Sequence, residues 1–133
     1  MSLHRHTATL LEVTEATSED QTGSTWAVLP SEGDGVADPS QGFGVFITAT
    51  QDGGLTSPTT DVSVETSVDG DNWVEVASAT QLTADGTQTE MATIDNLGPY
   101  VRATTTLGGG TAPDHTVSVV LTSDAPFKLV QVS

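Results

Sequence analysis

The stretch DVSVETSVDGDNWVEVA, residues 61–77, decides how the chain folds. From Asp61 to Val68 polar and apolar side chains alternate, the period of a half-buried strand. Val62, Val64 and Val68 are expected to face a core, with Asp61, Ser63, Glu65 and Ser67 towards water. Asp69-Gly70-Asp71-Asn72 breaks the pattern, and Trp73 to Ala77 resumes it. Asp-Gly tolerates the positive φ angles of tight turns, so the segment is expected to be a β-hairpin.

The same punctuation runs outward in both directions. Upstream, GFGVFITAT (42–50) is a continuous apolar run with β-branched content, a buried strand with Phe43, Val45 and Ile47 on one face and Phe46 on the other. TATLLEVT (7–14) is a first strand. Residues 18–41 turn to Gly, Asp, Ser and Pro, a long loop-rich segment interrupted by Trp26-Ala27-Val28-Leu29 before Pro30, a short strand or anchor. Downstream, Glu90 to Ile94, Tyr100 to Leu107, His115 to Thr122 and Phe127 to Val132 read as strands, with Val117, Val119 and Leu121 alternating. No segment has a helical period. The chain is therefore expected to be all-β, an antiparallel β-sandwich of about eight strands, jelly-roll or immunoglobulin-like. The cysteine–tryptophan core signature of true immunoglobulin domains is absent, which favours the jelly roll. At 133 residues the whole chain, 1–133, is read as one domain, with residues 1–6 a flexible arm.

Charge bounds the partners. Eighteen acidic residues face three basic ones, Arg5, Arg102 and Lys128, for a net charge of -15. A phosphate-binding surface cannot be assembled from three cations, so no nucleic acid is expected as a partner, and no anionic membrane. Such a chain stays apart from its own copies unless a local apolar or hydrogen-bonded patch, or a cationic partner, brings it into an assembly. There is no cysteine, which removes disulfides, thiolate metal sites and thiol nucleophiles. Leu10-Leu11, flanked by Thr and Glu, is too brief for a signal peptide or a membrane span.

The side chains that carry chemistry are sparse. Nucleophilic catalysis needs a base oriented by a third group, and only His4, His6 and His115 are available. His115 follows Asp114 at the start of a strand and reads as an ordinary strand-edge residue. Glu12, Glu15, Glu65, Glu75 and Asp95 fall on outward faces or in turns, where scattered carboxylates are expected background. Asp69, Asp71 and Asn72, with Asp34 or Asp38, offer oxygen ligands for calcium, but Trp73 occupies the third ligand position of an EF-hand order. Gly108-Gly109-Gly110 lacks the Lys-Ser/Thr and helix of a phosphate loop. No catalytic residue, metal site or cofactor is expected, and the chain is not read as an enzyme. Trp26, or Tyr100 beside Arg102, offers a ring on which a sugar would stack, although anchoring in a core or loop is the commoner use of such rings.

Three blocks occur in order: SVDGDNW (67–73), GPYVR (98–102), and a Gly-rich hairpin leading into TVSVVL (116–121). Together they resemble a pattern of small β-sandwich proteins of tailed-phage virions, capsid decoration (cement) proteins and tail-associated modules among them, over residues 60–122. The resemblance implies a non-enzymatic virion structural protein on the capsid surface, present in many copies. Its partner would be the major capsid protein, and it would act as a homo-oligomer, often a trimer. Ser-x-Asp-Gly-x-x-Trp also occurs in discoidin-like and other binding sandwiches. The alternative is therefore a carbohydrate-binding or adhesion module of a phage tail or a secreted protein. In either case the less regular first forty residues are expected to do most of the contacting, through His4, Arg5 and His6 of the arm and through Trp26, Leu29 and Pro30.

Overall fold

Sustained alternation of β-branched residues produces strands wherever Gly, Pro and Asp do not interrupt it. A computed structural model describes residues 6–30, 42–53, 57–109 and 113–132. They form β1 (His6–Thr17), β2 (Gln21–Thr22), β3 (Trp26–Pro30), β4 (Gly44–Asp52), β5 (Thr59–Ser67), β6 (Val74–Ser78), β7 (Gly86–Thr93), β8 (Tyr100–Gly108), β9 (Asp114–Ser123) and β10 (Phe127–Gln131), with no helix among the described residues. The chain is all-β, as its composition and periodicity require.

The strands build two antiparallel sheets, one in the order β1-β9-β4-β7 and one in the order β10-β3-β8-β5-β6, with β2 also on β8. β1 and β9, near opposite ends of the sequence, lie side by side from His6↔Ser123 to Thr17↔His115. β2 and β3 are two pieces of one interrupted strand along β8, pairing Gln21 with Thr105 and Trp26 with Val101. Between them the Gly23 N–H donates to the Ala103 carbonyl at 2.8 Å. A Cβ at Gly23 would lie 3.1 Å from that oxygen and 3.3 Å from the Leu10 carbonyl, so the close approach of three strands favours glycine.

The inner faces of both sheets feed one apolar cluster. Val45, Ile47, Ala49, Val117, Val119 and Leu121 enter from the first sheet, and Val28, Val62, Val64, Val101 and Ala103 from the second. The two sheets thus share a core in a β-sandwich-like arrangement. Each Val or Leu so buried contributes about 1.5–3 kcal/mol relative to exposure. The doubled Leu10-Leu11 cannot alternate. β1 answers with a register shift between Thr9 and Leu11, and both leucines reach the core. Phe43 is buried ahead of β4, and its ring meets Phe127 edge to face, with centroids 5.5 Å apart.

Val68 departs from expectation. It keeps the phase of Val62 and Val64, but β5 ends at Ser67 and Val68 is 78 % exposed. The outer edge of the first sheet also inverts the simple pattern. Gln88 and Glu90 of β7 pair opposite Ala49 and Ile47, so they point inwards. The Glu90 carboxylate accepts the Thr80 N–H and the Gln88 amide donates to the Thr80 carbonyl, both at 2.7 Å. This stitches β7 to the β6–β7 connection, and inward polar groups at an edge discourage addition of a foreign strand.

Candidate functional site

The hairpin between β5 and β6 closes on itself. The Ser67 hydroxyl accepts the N–H groups of Asp69 and Gly70, at 3.2 and 2.8 Å, and donates to Asp69 Oδ1 at 2.9 Å. The same Oδ1 accepts the backbone N–H groups of Asp71 and Asn72, each at 2.9 Å, while the Asn72 amide donates to Oδ2 at 2.7 Å. Gly70 supplies the left-handed φ of +81°. Backbone donation from Asn72 and then Asp71, followed by the side chains of Asn72 and Ser67, holds the Asp69 carboxyl well below the usual carboxylate range. With both oxygens turned onto donors, Asp69 serves the turn and is not aimed at a calcium ion. Asp34 and Asp38 lie outside the described residues, and among the described residues no three carboxylate or imidazole side chains converge.

A pH dependence follows. The folded-state pKa lies below the ordinary 3.8, so the stabilisation by Asp69 is fully present above about pH 4 and is lost progressively as pH falls below it. Asp69→Ala should lower the melting temperature at neutral pH and leave a smaller difference from the parent chain at pH 2–3. Circular-dichroism melts across that window measure it; a difference that does not shrink in acid would contradict the assignment.

Trp73 stands outside the core cluster. The Arg102 guanidinium lies over its ring, 4.2 Å from the centroid, and the Arg102 Nε–H donates to Glu65 at 2.8 Å, its cross-strand partner in β5. Such partly solvated contacts stabilise by up to about 1 kcal/mol each. The second sequence block packs at the base of the same hairpin. The Gly98 N–H donates to Thr66 Oγ1 at 2.8 Å, the Thr66 hydroxyl donates to the Tyr100 carbonyl at 2.7 Å, and the Pro99 carbonyl accepts the Val28 N–H at 2.9 Å. A Cβ at Gly98 would lie 2.9 Å from the Ser67 carbonyl oxygen. SVDGDNW and GPYVR are therefore one structural unit.

Beside that unit lies an open groove of about 880 Å³. Val68, Val74, Val76 and Leu97 give it apolar walls, and Glu75 and Asp95 stand among them. Val68 and Val74, 78 % and 65 % exposed, are the most exposed large apolar side chains among the described residues. A second surface is the outer face of the first sheet. There Thr48 and Thr50 hydrogen-bond to Thr89 and Thr87 across β4 and β7, and Phe46 faces the exposed Met91.

His115 is buried and does not sit at a strand edge in water. A carbonyl only accepts, so Nδ1–H donates to the Thr17 oxygen at 2.8 Å, and Nε2 accepts the Thr105 hydroxyl at 2.9 Å. Thr105 Oγ1 in turn accepts the Gln21 N–H at 3.1 Å. The imidazole thus ties β1, β2, β8 and β9 together. Both nitrogens are occupied and Asp114 is exposed, so the neighbouring carboxylate does not orient the ring.

The expected contact residues are spread out. His4 and Arg5 lie outside the described residues; His6 opens β1 opposite Ser123 and is half-buried. Trp26, Leu29 and Pro30 share β3, with Leu29 opposite Lys128 and Pro30 opposite Phe127 of β10. The Trp26 ring packs against the core, and its Nε1–H donates to the Leu10 carbonyl at 3.1 Å, joining β3 to β1 of the other sheet. Sequence reasoning missed the groove, because its walls come from the hairpin and from the loop before β8, far apart in the chain. The signal available in the sequence was a valine on either side of the polar turn, Val68 and Val74. No family model matches the chain, and no curated protein matches it in sequence.

Proposed function

We propose that the chain is a non-enzymatic virion structural protein, a capsid decoration protein that stabilises a phage head by adding contacts across subunit boundaries. The observation that carries this reading is the strand order. With β10 and the short β2 set aside, β1-β9-β4-β7 opposite β3-β8-β5-β6 is the order obtained when two Greek keys are wound together. We read that order as a jelly roll, an architecture of viral capsid and lectin domains, in preference to an immunoglobulin-like topology.

Surface chemistry turns the fold towards a shell role. Between Gly44 and Gln51 of β4 and between Thr116 and Ser123 of β9, the two central strands of the first sheet carry no charged residue, in a chain of net charge -15. These hydroxyl-rich central strands, with Glu12 of β1 as a charge beside them, are where such an acidic protein docks on another protein with little like-charge repulsion. The carbohydrate-binding alternative needs an uncovered ring. Trp26 is committed to the core and Trp73 is covered by Arg102, which leaves Tyr100 and the outward-facing Phe46 as platforms. The chain would act as a homo-oligomer on the major capsid protein, as the resemblance implies.

Quantitative mass spectrometry of purified particles tests the proposal. A copy number comparable with that of the shell protein is expected, and absence from particles, or a handful of copies, would overturn it. Deleting residues 1–5, which spares the paired His6, is expected to lower occupancy on the particle while the melting temperature stays put. Unchanged occupancy would remove the arm from the contact.

A further inference from the structure

We propose that the groove between the β5–β6 hairpin and the loop before β8 is a docking site for an extended, cationic segment of a partner protein, one whose Lys or Arg side chains alternate with apolar ones. The site stands on its own observations and does not require the virion reading.

Three features converge there. First, apolar side chains that could have been covered are not: Val68 and Val74 stand 78 % and 65 % exposed beside Val76, with the buried Leu97 as floor. A pair of such side chains at the mouth of a groove of about 880 Å³ is a place where an incoming apolar residue gains burial. Second, the charges of the lining are of one sign. Glu75 and Asp95 line the groove, and no Lys, Arg or His does. An acidic or neutral segment would bring no compensation for desolvating them, whereas Lys or Arg spaced between apolar residues meets both kinds of wall. Third, β6 is the terminal strand of its sheet, paired on one side with β5. An extended segment can therefore lie along the outer side of Val74–Ser78 with its alternate side chains turned towards the groove.

A second copy of this chain is a poor occupant. It offers three basic residues in all, of which Arg102 is already bonded to Glu65, and it brings a net charge of -15 to the encounter. The better partner is a basic protein presenting an extended arm or terminus.

The test is a titration of the full ¹⁵N-labelled chain with a short, capped peptide alternating valine and lysine, and with the same peptide carrying glutamate for lysine. The lysine peptide is expected to shift amides around Val68, Val74, Asp95 and Leu97, and to weaken as salt is raised. Val74→Asp, and separately Glu75→Lys with Asp95→Lys, are expected to weaken it about tenfold or more. Val74→Ala, which removes apolar surface without adding charge, should weaken it less while keeping the spectrum of the folded chain. Absence of binding would overturn the proposal, as would equal binding of the glutamate peptide. So would shifts spread over the whole acidic surface, since those report attraction by net charge alone. Sedimentation revealing a dimer that Val74→Asp dissolves would assign the groove to a second copy and overturn it too.

Discussion

Phe43→Ala is expected to destabilise the fold by about 3–5 kcal/mol, the largest effect of any single truncation in the core. Phe43 is 2 % exposed and, among the described residues, is the one aromatic ring in the fully buried part of the core, which is otherwise made of Val, Ile, Leu and Ala. The core around it is close-packed between two hydrogen-bonded sheets, so it collapses only partly into the space a phenyl ring leaves. The edge-to-face contact with Phe127 would be lost as well. The Phe43 carbonyl accepts the Ile94 N–H at 2.9 Å, a backbone contact that the substitution leaves in place, so the loss reads out packing alone. Urea unfolding should show the midpoint falling with an unchanged slope. A loss below about 1 kcal/mol would mean that the ring does not fill the space between the sheets.

His115→Leu is the second large effect, a loss on the order of 3 kcal/mol, although leucine nearly matches imidazole in volume. The substitution leaves the part-buried Thr17 carbonyl without this donor and the buried Thr105 hydroxyl, which keeps the Gln21 N–H, without its acceptor, and an unsatisfied buried group costs about 1–3 kcal/mol. The imidazole accounts for one bond to each of them, at 2.8 and 2.9 Å. His115→Gln, which carries a donor and an acceptor on a flexible stem, should recover part of the loss. Chemical denaturation of the three chains distinguishes the cases. If leucine and glutamine variants were both as stable as the parent, His115 would not be a structural bridge, and its pairing with Thr105 would call for a different account.

Much of the fold was legible because burial follows alternation. Val62, Val64, Val117, Val119 and Leu121 are buried where period two places them, and Phe46 is turned outward. Alternation is local, however, and partner choice is not. Nothing in the composition of residues 6–17 announces that they pair with residues 115–123. β2, two residues long, carries no periodic signal at all. β7 begins at Gly86, earlier than the apolar residues suggest, since its inward positions include Gln88 and Glu90, which are satisfied by Thr80 rather than by burial.

The site divides in the same way. The hairpin was readable from Asp69 and Gly70, whose roles are set within six residues. Its union with Gly98 and Pro99 was not, because it depends on a close approach between segments some thirty residues apart. His115 opens a strand after a glycine-rich loop and looks solvated in sequence. Its burial is decided by Thr17 and Thr105, residues that sequence proximity does not bring to it. Val68 was misplaced by one step of extrapolation, since the alternation continues past the residue at which the Ser67 hydroxyl starts the turn.

The proposed double Greek key depends on the pairing of β1 with β9, and that pairing is the most direct place to test the whole reading. In a backbone nuclear Overhauser spectrum of the labelled chain, cross-strand contacts are expected between Val13 and Val117 and between Thr48 and Ser118, with β9 lying between β1 and β4. Contacts joining β1 to β3 in a simple meander, with Val117 far from Val13, would contradict the jelly roll and with it the reading of the chain as a shell protein.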